Sequence, residues 1–153
     1  GEGESRYGRY VSQTTAGCEL RFVLEGDRAM LSLTSVDEDG YPEIKAMLPP
    51  RKREGIRTFY FTTNTSSRRV ADYRRDPKAC VYFVDRRFFR GVMLQGTMEV
   101  LEDASSKEMI WEEGDTLYYP LGVADPDYCV LRFTALRGRF YRDFSSEDFA
   151  VAE

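Results

Sequence analysis

Residues 56–84, IRTFYFTTNTSSRRVADYRRDPKACVYFV, leave the chain few ways to fold. Residues 57–62 are rich in β-branched and aromatic side chains and read as a strand. Thr63 to Thr65 break that pattern, and the hydroxyl of Ser66 or Ser67 can accept a backbone N–H and start a helix. Val70 and Tyr73 then share one face at helical spacing. Asp76-Pro77 stops the helix, because the residue before proline is pushed out of the α region. A second strand follows over 79–84.

Arg68 and Arg69 sit in the first turn of that helix, where the macrodipole is positive and the leading N–H groups lack partners. Cations there cost roughly 0.3–1 kcal/mol each. One explanation is an anion held by those N–H groups, the nearby hydroxyls and both guanidiniums. The other is a pair of solvated surface arginines. From the residues alone both readings stand.

The remaining chain extends the strand pattern. Residues 29–36 and 41–48 form a hairpin around Asp37-Glu38-Asp39-Gly40. Arg51, Lys52 and Arg53 make a basic triplet that reads as a solvated hairpin tip. A long strand spans 91–102, with Gly96 marking a bulge or a close backbone approach. Asp103 or Ser105 caps a helix running through Met109 and Trp111 to near Gly114, and an irregular loop follows over 116–127. Strands at 128–136 and 138–144 complete the set, and a further helix is expected over 14–25. Six or seven antiparallel strands with three short helices predict an α+β split β-barrel. At 153 residues one domain is expected: a flexible arm over 1–12, the barrel over 13–144 and an acidic tail over 145–153. The aromatic share of 14% suits a β-rich core.

Several function classes fall away. The chain contains no histidine, which removes Ser-His-Asp and Cys-His catalysis, histidine-ligated haem and the usual zinc hydrolases. Cys18, Cys80 and Cys129 form no close pair, so neither a disulfide framework, a zinc site nor any other metal site is expected, and a reducing cytoplasm fits. A net charge of −4 favours neither nucleic acid nor an anionic membrane. No apolar run approaches the ~20 residues of a membrane span, and the first residues lack the apolar stretch of a signal peptide. Any chemistry here is expected to reside in a bound cofactor.

Phe61, Thr62, Thr63, Ser67, Arg68, Arg69, Asp76 and Pro77 together match a motif. Through them, and through the hairpin Asp37–Pro42, the chain resembles the pyridoxamine 5′-phosphate oxidase-like FMN-binding split barrels, in particular the general stress protein 26-like group. The likeness runs from about Arg28 to Arg139. It implies flavin mononucleotide (FMN) in a groove at a homodimer interface. It also implies Ser67, Arg68 and Arg69 on the phosphate, with Thr62 and Thr63 near the ribityl chain and phosphate. Lys45 would approach the phosphate or the flavin, and the backbone of Met47 and Leu48, in the run Lys45-Ala46-Met47-Leu48, would face the ring edge; an exposed strand lysine is the plain alternative for Lys45. Met47, Met93 or an aromatic residue could wall the ring. Gln95 and Trp111 are weaker candidates, Trp111 reading better as a helix anchor. Tyr118, Tyr119 and Asp115 could line an open face.

True pyridoxamine phosphate oxidases close with an Arg/Trp-rich segment, whereas this chain runs Arg139-Phe140-Tyr141-Arg142-Asp143-Phe144 into acidic residues. The resemblance therefore implies an FMN-dependent oxidoreductase acting on another small redox substrate. A flavin-binding, storage or ligand-sensing module on the same fold is the alternative.

Overall fold

The structure, a computed structural model, describes residues 10–11 and 30–151. Nine strands form one sheet among these residues: β1 Tyr10–Val11, β2 Met30–Val36, β3 Pro42–Met47, β4 Lys52–Glu54, β5 Thr58–Asn64, β6 Lys78–Asp85, β7 Arg90–Leu101, β8 Tyr128–Arg142 and β9 Ser145–Val151. Two α-helices, α1 Arg68–Arg75 and α2 Ala104–Met109, and two short 3₁₀ turns complete the described chain. All pairings are antiparallel except β1 on β9. The helix expected over 14–25, and Cys18 with it, lies outside the described residues.

Strand β8 is the spine. One edge pairs with β7 from Val130 to Tyr141. The other edge is shared, with β5 taking 128–134 and β9 taking 137–142. At the far side the order runs β7, β6, β2, β3. The sheet does not close between β3 and β5, and the barrel is split there.

The split barrel follows the sequence expectation, with two differences along β8 and β9. First, 128–142 is one strand instead of two. Gly138 does not end it, because a Cβ there would lie 2.6 Å from both the Met93 carbonyl oxygen and the Phe149 ring. The glycine serves close packing inside a continuous strand. Second, residues 145–151 are a paired strand, not a frayed acidic tail, and Phe149 is buried in the core. Asp143 (φ 49°) and Phe144 (φ 59°) make the tight turn that feeds it, which is the twist a two-residue hairpin requires. Gly96 behaves as its position predicts: the β7–β8 register shifts between Gln95 and Gly96, and a Cβ there would collide with the Thr134 carbonyl.

Alternation along the strands builds two apolar layers. Leu31 and Leu33, Phe59 and Phe61, Val81 and Phe83, Leu94, Leu131 and Phe133 fill the barrel. Behind β5 and β8, Tyr60, Ile110, Tyr119, Tyr128 and Val130 form a second cluster. Trp111 packs on Tyr128 there, with ring centroids 5.1 Å apart. β5 is thus covered on both sides, which fixes it as one rigid wall of the split.

Candidate functional site

The turn between β5 and α1 is built around Asp127. Its carboxylate accepts from Asn64 Nδ2 at 2.9 Å and from the Ser66 backbone N–H at 2.9 Å, while its carbonyl accepts from Thr65 N–H at 2.8 Å. These bonds from Asn64 and Ser66 hold the Asp127 carboxyl below its ordinary range. Ser67 is the helix N-cap, its Oγ accepting from Val70 N–H at 3.3 Å. Val70 and Tyr73 face inward, and the Tyr73 hydroxyl donates to the Thr34 carbonyl at 2.6 Å. The first turn of α1 is therefore held from both ends. Ser67→Ala is expected to cost about 1 kcal/mol of stability through loss of the cap, checked by urea denaturation; no change would mean that the Asp127 bonds alone hold the turn.

The split opens into two adjoining chambers. One, of about 240 Å³, lies between the end of β3 (Lys45, Ala46, Met47, Leu48 and Pro49) and the end of β5 (Phe61, Thr62, Thr63 and Asn64). Arg51, Arg69, Tyr118 and Tyr119 complete its wall. The other, of about 310 Å³, lies between the β2–β3 hairpin and the start of α1, and Glu43, Lys45, Ser67, Arg68 and Arg69 line it. Lys45 and Arg69 belong to both.

The nine residues that the resemblance implies for the flavin and its phosphate, Lys45 to Leu48, Thr62, Thr63 and Ser67 to Arg69, thus line one chamber or the other. Lys45 is exposed and has no ion-pair partner among the described residues. Arg69 reaches across the split, with Nη1 2.9 Å from Met47 Sδ and Nη2 3.5 Å from Thr63 Oγ1. Arg68 turns the other way, to Glu43 Oε1 at 2.6 Å. Neither arginine is simply solvated. Ser67 Oγ, though it accepts the capping bond, keeps its own proton to donate. Ser35 lies on β2, 1% exposed, and its hydroxyl has no hydrogen-bond partner among the described residues; it too lines the second chamber.

The lining also corrects the sequence reading. Arg51 is not part of a solvated tip. It donates to Asp115 Oδ2 at 3.0 Å and Oδ1 at 2.7 Å, and its side chain is 17% exposed. Asp115 is buried and faces Arg51, not an open face, because the 3₁₀ turn Glu113–Leu117 folds it inward. That turn carries Tyr118 and Tyr119 onto the chamber wall. Burial pushes the Tyr119 phenol up to about 12, so it keeps its proton and forms a wall, not a base. Met93 lines neither chamber, and Gln95 accepts from Arg137 Nε at 2.8 Å along a different cleft. Asp127 and Ser35 were not singled out in the sequence; a lone aspartate before a strand and a serine inside one carry no local signal.

The arrangement suits a ligand with one flat, partly apolar end and one anionic end. Methionine, leucine, proline and tyrosine surfaces meet in one chamber, and cations with hydroxyls gather in the other. Among the described residues no cluster of side chains is fit to hold a metal ion, and no helix is long and apolar enough to cross a membrane.

Known proteins of this shape exist. Residues 19–142 match the family model described as pyridoxamine 5′-phosphate oxidase. A solved structure from Clostridium acetobutylicum, of a protein related to general stress protein 26 of Bacillus subtilis and placed in the pyridoxinephosphate oxidase family, is 42% identical. It aligns over 88% of this chain and 93% of its own, with a TM-score of 0.78. The pyridoxine/pyridoxamine 5′-phosphate oxidase of Thermobifida fusca is 37% identical over 90 residues, which is 58% of this chain and 38% of that enzyme. A haem-binding protein of Mycobacterium smegmatis shares the fold at 16% identity, with a TM-score of 0.68 over 92% of this chain and 60% of its own.

Proposed function

The chain belongs to the pyridoxamine 5′-phosphate oxidase family, and on that premise we propose that it is an FMN-binding flavoprotein, an oxidoreductase acting on a small molecule other than pyridoxamine phosphate. The observation that carries this is the pair of chambers joined through Lys45 and Arg69. Ser67, Arg68, Arg69 and Lys45 would hold the phosphate, Thr62 and Thr63 would stand near it and the ribityl chain, and Ala46, Met47 and Leu48 would border the ring. Together the chambers fall within the roughly 300–1,000 Å³ typical of small-molecule sites. The buried Ser35 hydroxyl supports the fit, since it offers a donor that no described residue takes.

The flavin, when bound, supplies the hydride or electron transfer. The chain's own groups bind and orient. Arg69 tethers β3 to β5 across the split, and Tyr119, its proton retained, walls one chamber. No histidine is present to act as a base. The sole tryptophan, Trp111, lies under Tyr128 and not in either chamber, which speaks against a pyridoxamine phosphate pocket built on an Arg/Trp cluster. The open, half-exposed chamber walls are in keeping with a homodimer whose second copy covers the ring. A cytoplasmic setting accords with the free thiols of Cys80 and Cys129.

The visible absorption spectrum of the purified protein, repeated after adding FMN and desalting, tests this. A retained flavin band is the expected result. A haem-type Soret band, or a colourless protein that refuses flavin, would overturn it. Oxidation of reduced nicotinamide by the loaded protein then separates an enzyme from a flavin-storage or sensing module.

A further inference from the structure

A carboxylate stands in the chamber that is rich in cations. Glu43 on β3 lies opposite Ser35 on β2 and takes the Arg68 guanidinium at 2.6 Å. Arg68 is otherwise open to solvent, with 77% of its side chain exposed, whereas the Glu43 side chain is only 28% exposed. The pair is therefore set by where Glu43 points, into the space between the hairpin and the start of α1. In the same space the Ser35 hydroxyl is buried and bonds to none of the described residues. A chamber built only for an anion would have no carboxylate in it, and a purely structural ion pair would not leave a hydroxyl orphaned beside it.

Resting on the flavin reading above, we infer that Glu43 is an internal competitor for the phosphate. Its carboxylate occupies Arg68 in the free protein and yields that guanidinium to an incoming phosphate monoester, to which Ser35 then donates. The exchange selects by charge. A dianionic phosphate, carrying more charge than the carboxylate, gains by displacing it from Arg68. A neutral ligand, or one bearing a single negative charge, gains little. Glu43 thus weakens binding of every anion somewhat and of weak anions decisively, which makes it a determinant of specificity.

The test titrates the wild-type protein and the Glu43→Gln variant with FMN and with riboflavin, its phosphate-free counterpart. Inorganic phosphate is titrated in parallel and followed by the Arg68 Nε–H resonance. In Glu43→Gln, FMN is expected to bind about three- to tenfold more tightly, as removal of one nearby like charge at a partly exposed site allows. Riboflavin affinity should stay within about twofold of wild type, since no charge is exchanged. Ser35→Ala should weaken FMN about ten- to a hundredfold through loss of one hydrogen bond to a charged group, again sparing riboflavin. Unchanged or weaker FMN binding in Glu43→Gln would overturn the inference, because Glu43 would then position Arg68 or stand idle. If the wild type binds neither flavin, the flavin reading itself fails. Competition is then read on inorganic phosphate, where no gain in Glu43→Gln overturns the inference in turn.

Discussion

Replacing Arg68 and Arg69 together with alanine is expected to lower affinity for FMN by about two to three orders of magnitude. Each charge-assisted hydrogen bond to a phosphate contributes about 1.5–3 kcal/mol, and every 1.4 kcal/mol is about tenfold in affinity. Loss of both guanidiniums also leaves Glu43 without its partner in the chamber, adding repulsion to the missing attraction. Riboflavin should lose far less, because it presents no phosphate. The fold should survive. Arg68 is mostly exposed, the bonds of Arg69 to Met47 and Thr63 lie at the rim, and the buried residues of α1, Val70, Asp72 and Tyr73, are left in place. Alanine also removes two cations from a helix end that disfavours them. Fluorescence titration with FMN and riboflavin, beside a thermal melt, reads all of this. A double variant that keeps full FMN occupancy would show that the phosphate is held elsewhere.

The central strand–turn–helix–strand unit was legible because each of its signals is local. β-branched runs, a capping serine and a proline stop act within a few residues, and α1 begins at Arg68 after the Ser67 cap as the pattern predicts. The bulge at Gly96 was legible for the same reason. What escaped depends on partners distant in sequence. Arg51 reads as a solvated cation until Asp115, 64 residues on, is folded beside it. Asp127 organises a turn 61 residues earlier. Strand β9 escaped because Phe144 is a poor advertisement for a left-handed turn, a conformation that favours glycine or asparagine. Its alternation is also masked by Glu147 and Asp148, of which Asp148 pairs with Arg139 at 2.6 Å. The cations at the start of α1 left an anion site and a solvated pair equally open; that Glu43 already pairs with one of them could be read only from the structure.

The wall that carries Tyr118 and Tyr119 depends on one ion pair, and Asp115→Ala is expected to destabilise the protein by about 3 kcal/mol. Asp115 is almost wholly buried, accepts two bonds from Arg51 and a third from the Glu112 N–H at 2.9 Å. Removing it strands a mostly buried guanidinium, and breaking such pairs costs roughly 3–5 kcal/mol. The lower figure applies because Glu112 Oε2, 3.1 Å from Arg51, remains as a solvated partner. For a chain of this length the melting temperature should fall by about 6–12 °C. The hydrogen bond from Arg51 holds the Asp115 carboxyl below its ordinary range, so its contribution has a definite sign in pH. It is complete above the unfolded value of about 3.9 and is lost as pH falls through the lower, folded value. The gap between wild type and variant should therefore be constant at neutral pH and narrow in acid. Replacing both partners with leucine should recover part of the loss, since no charge is then left buried. A single variant that melts within a degree or two of wild type would mean that the packing of Trp111 on Tyr119 and Tyr128, and not the ion pair, holds the tyrosine wall over the groove.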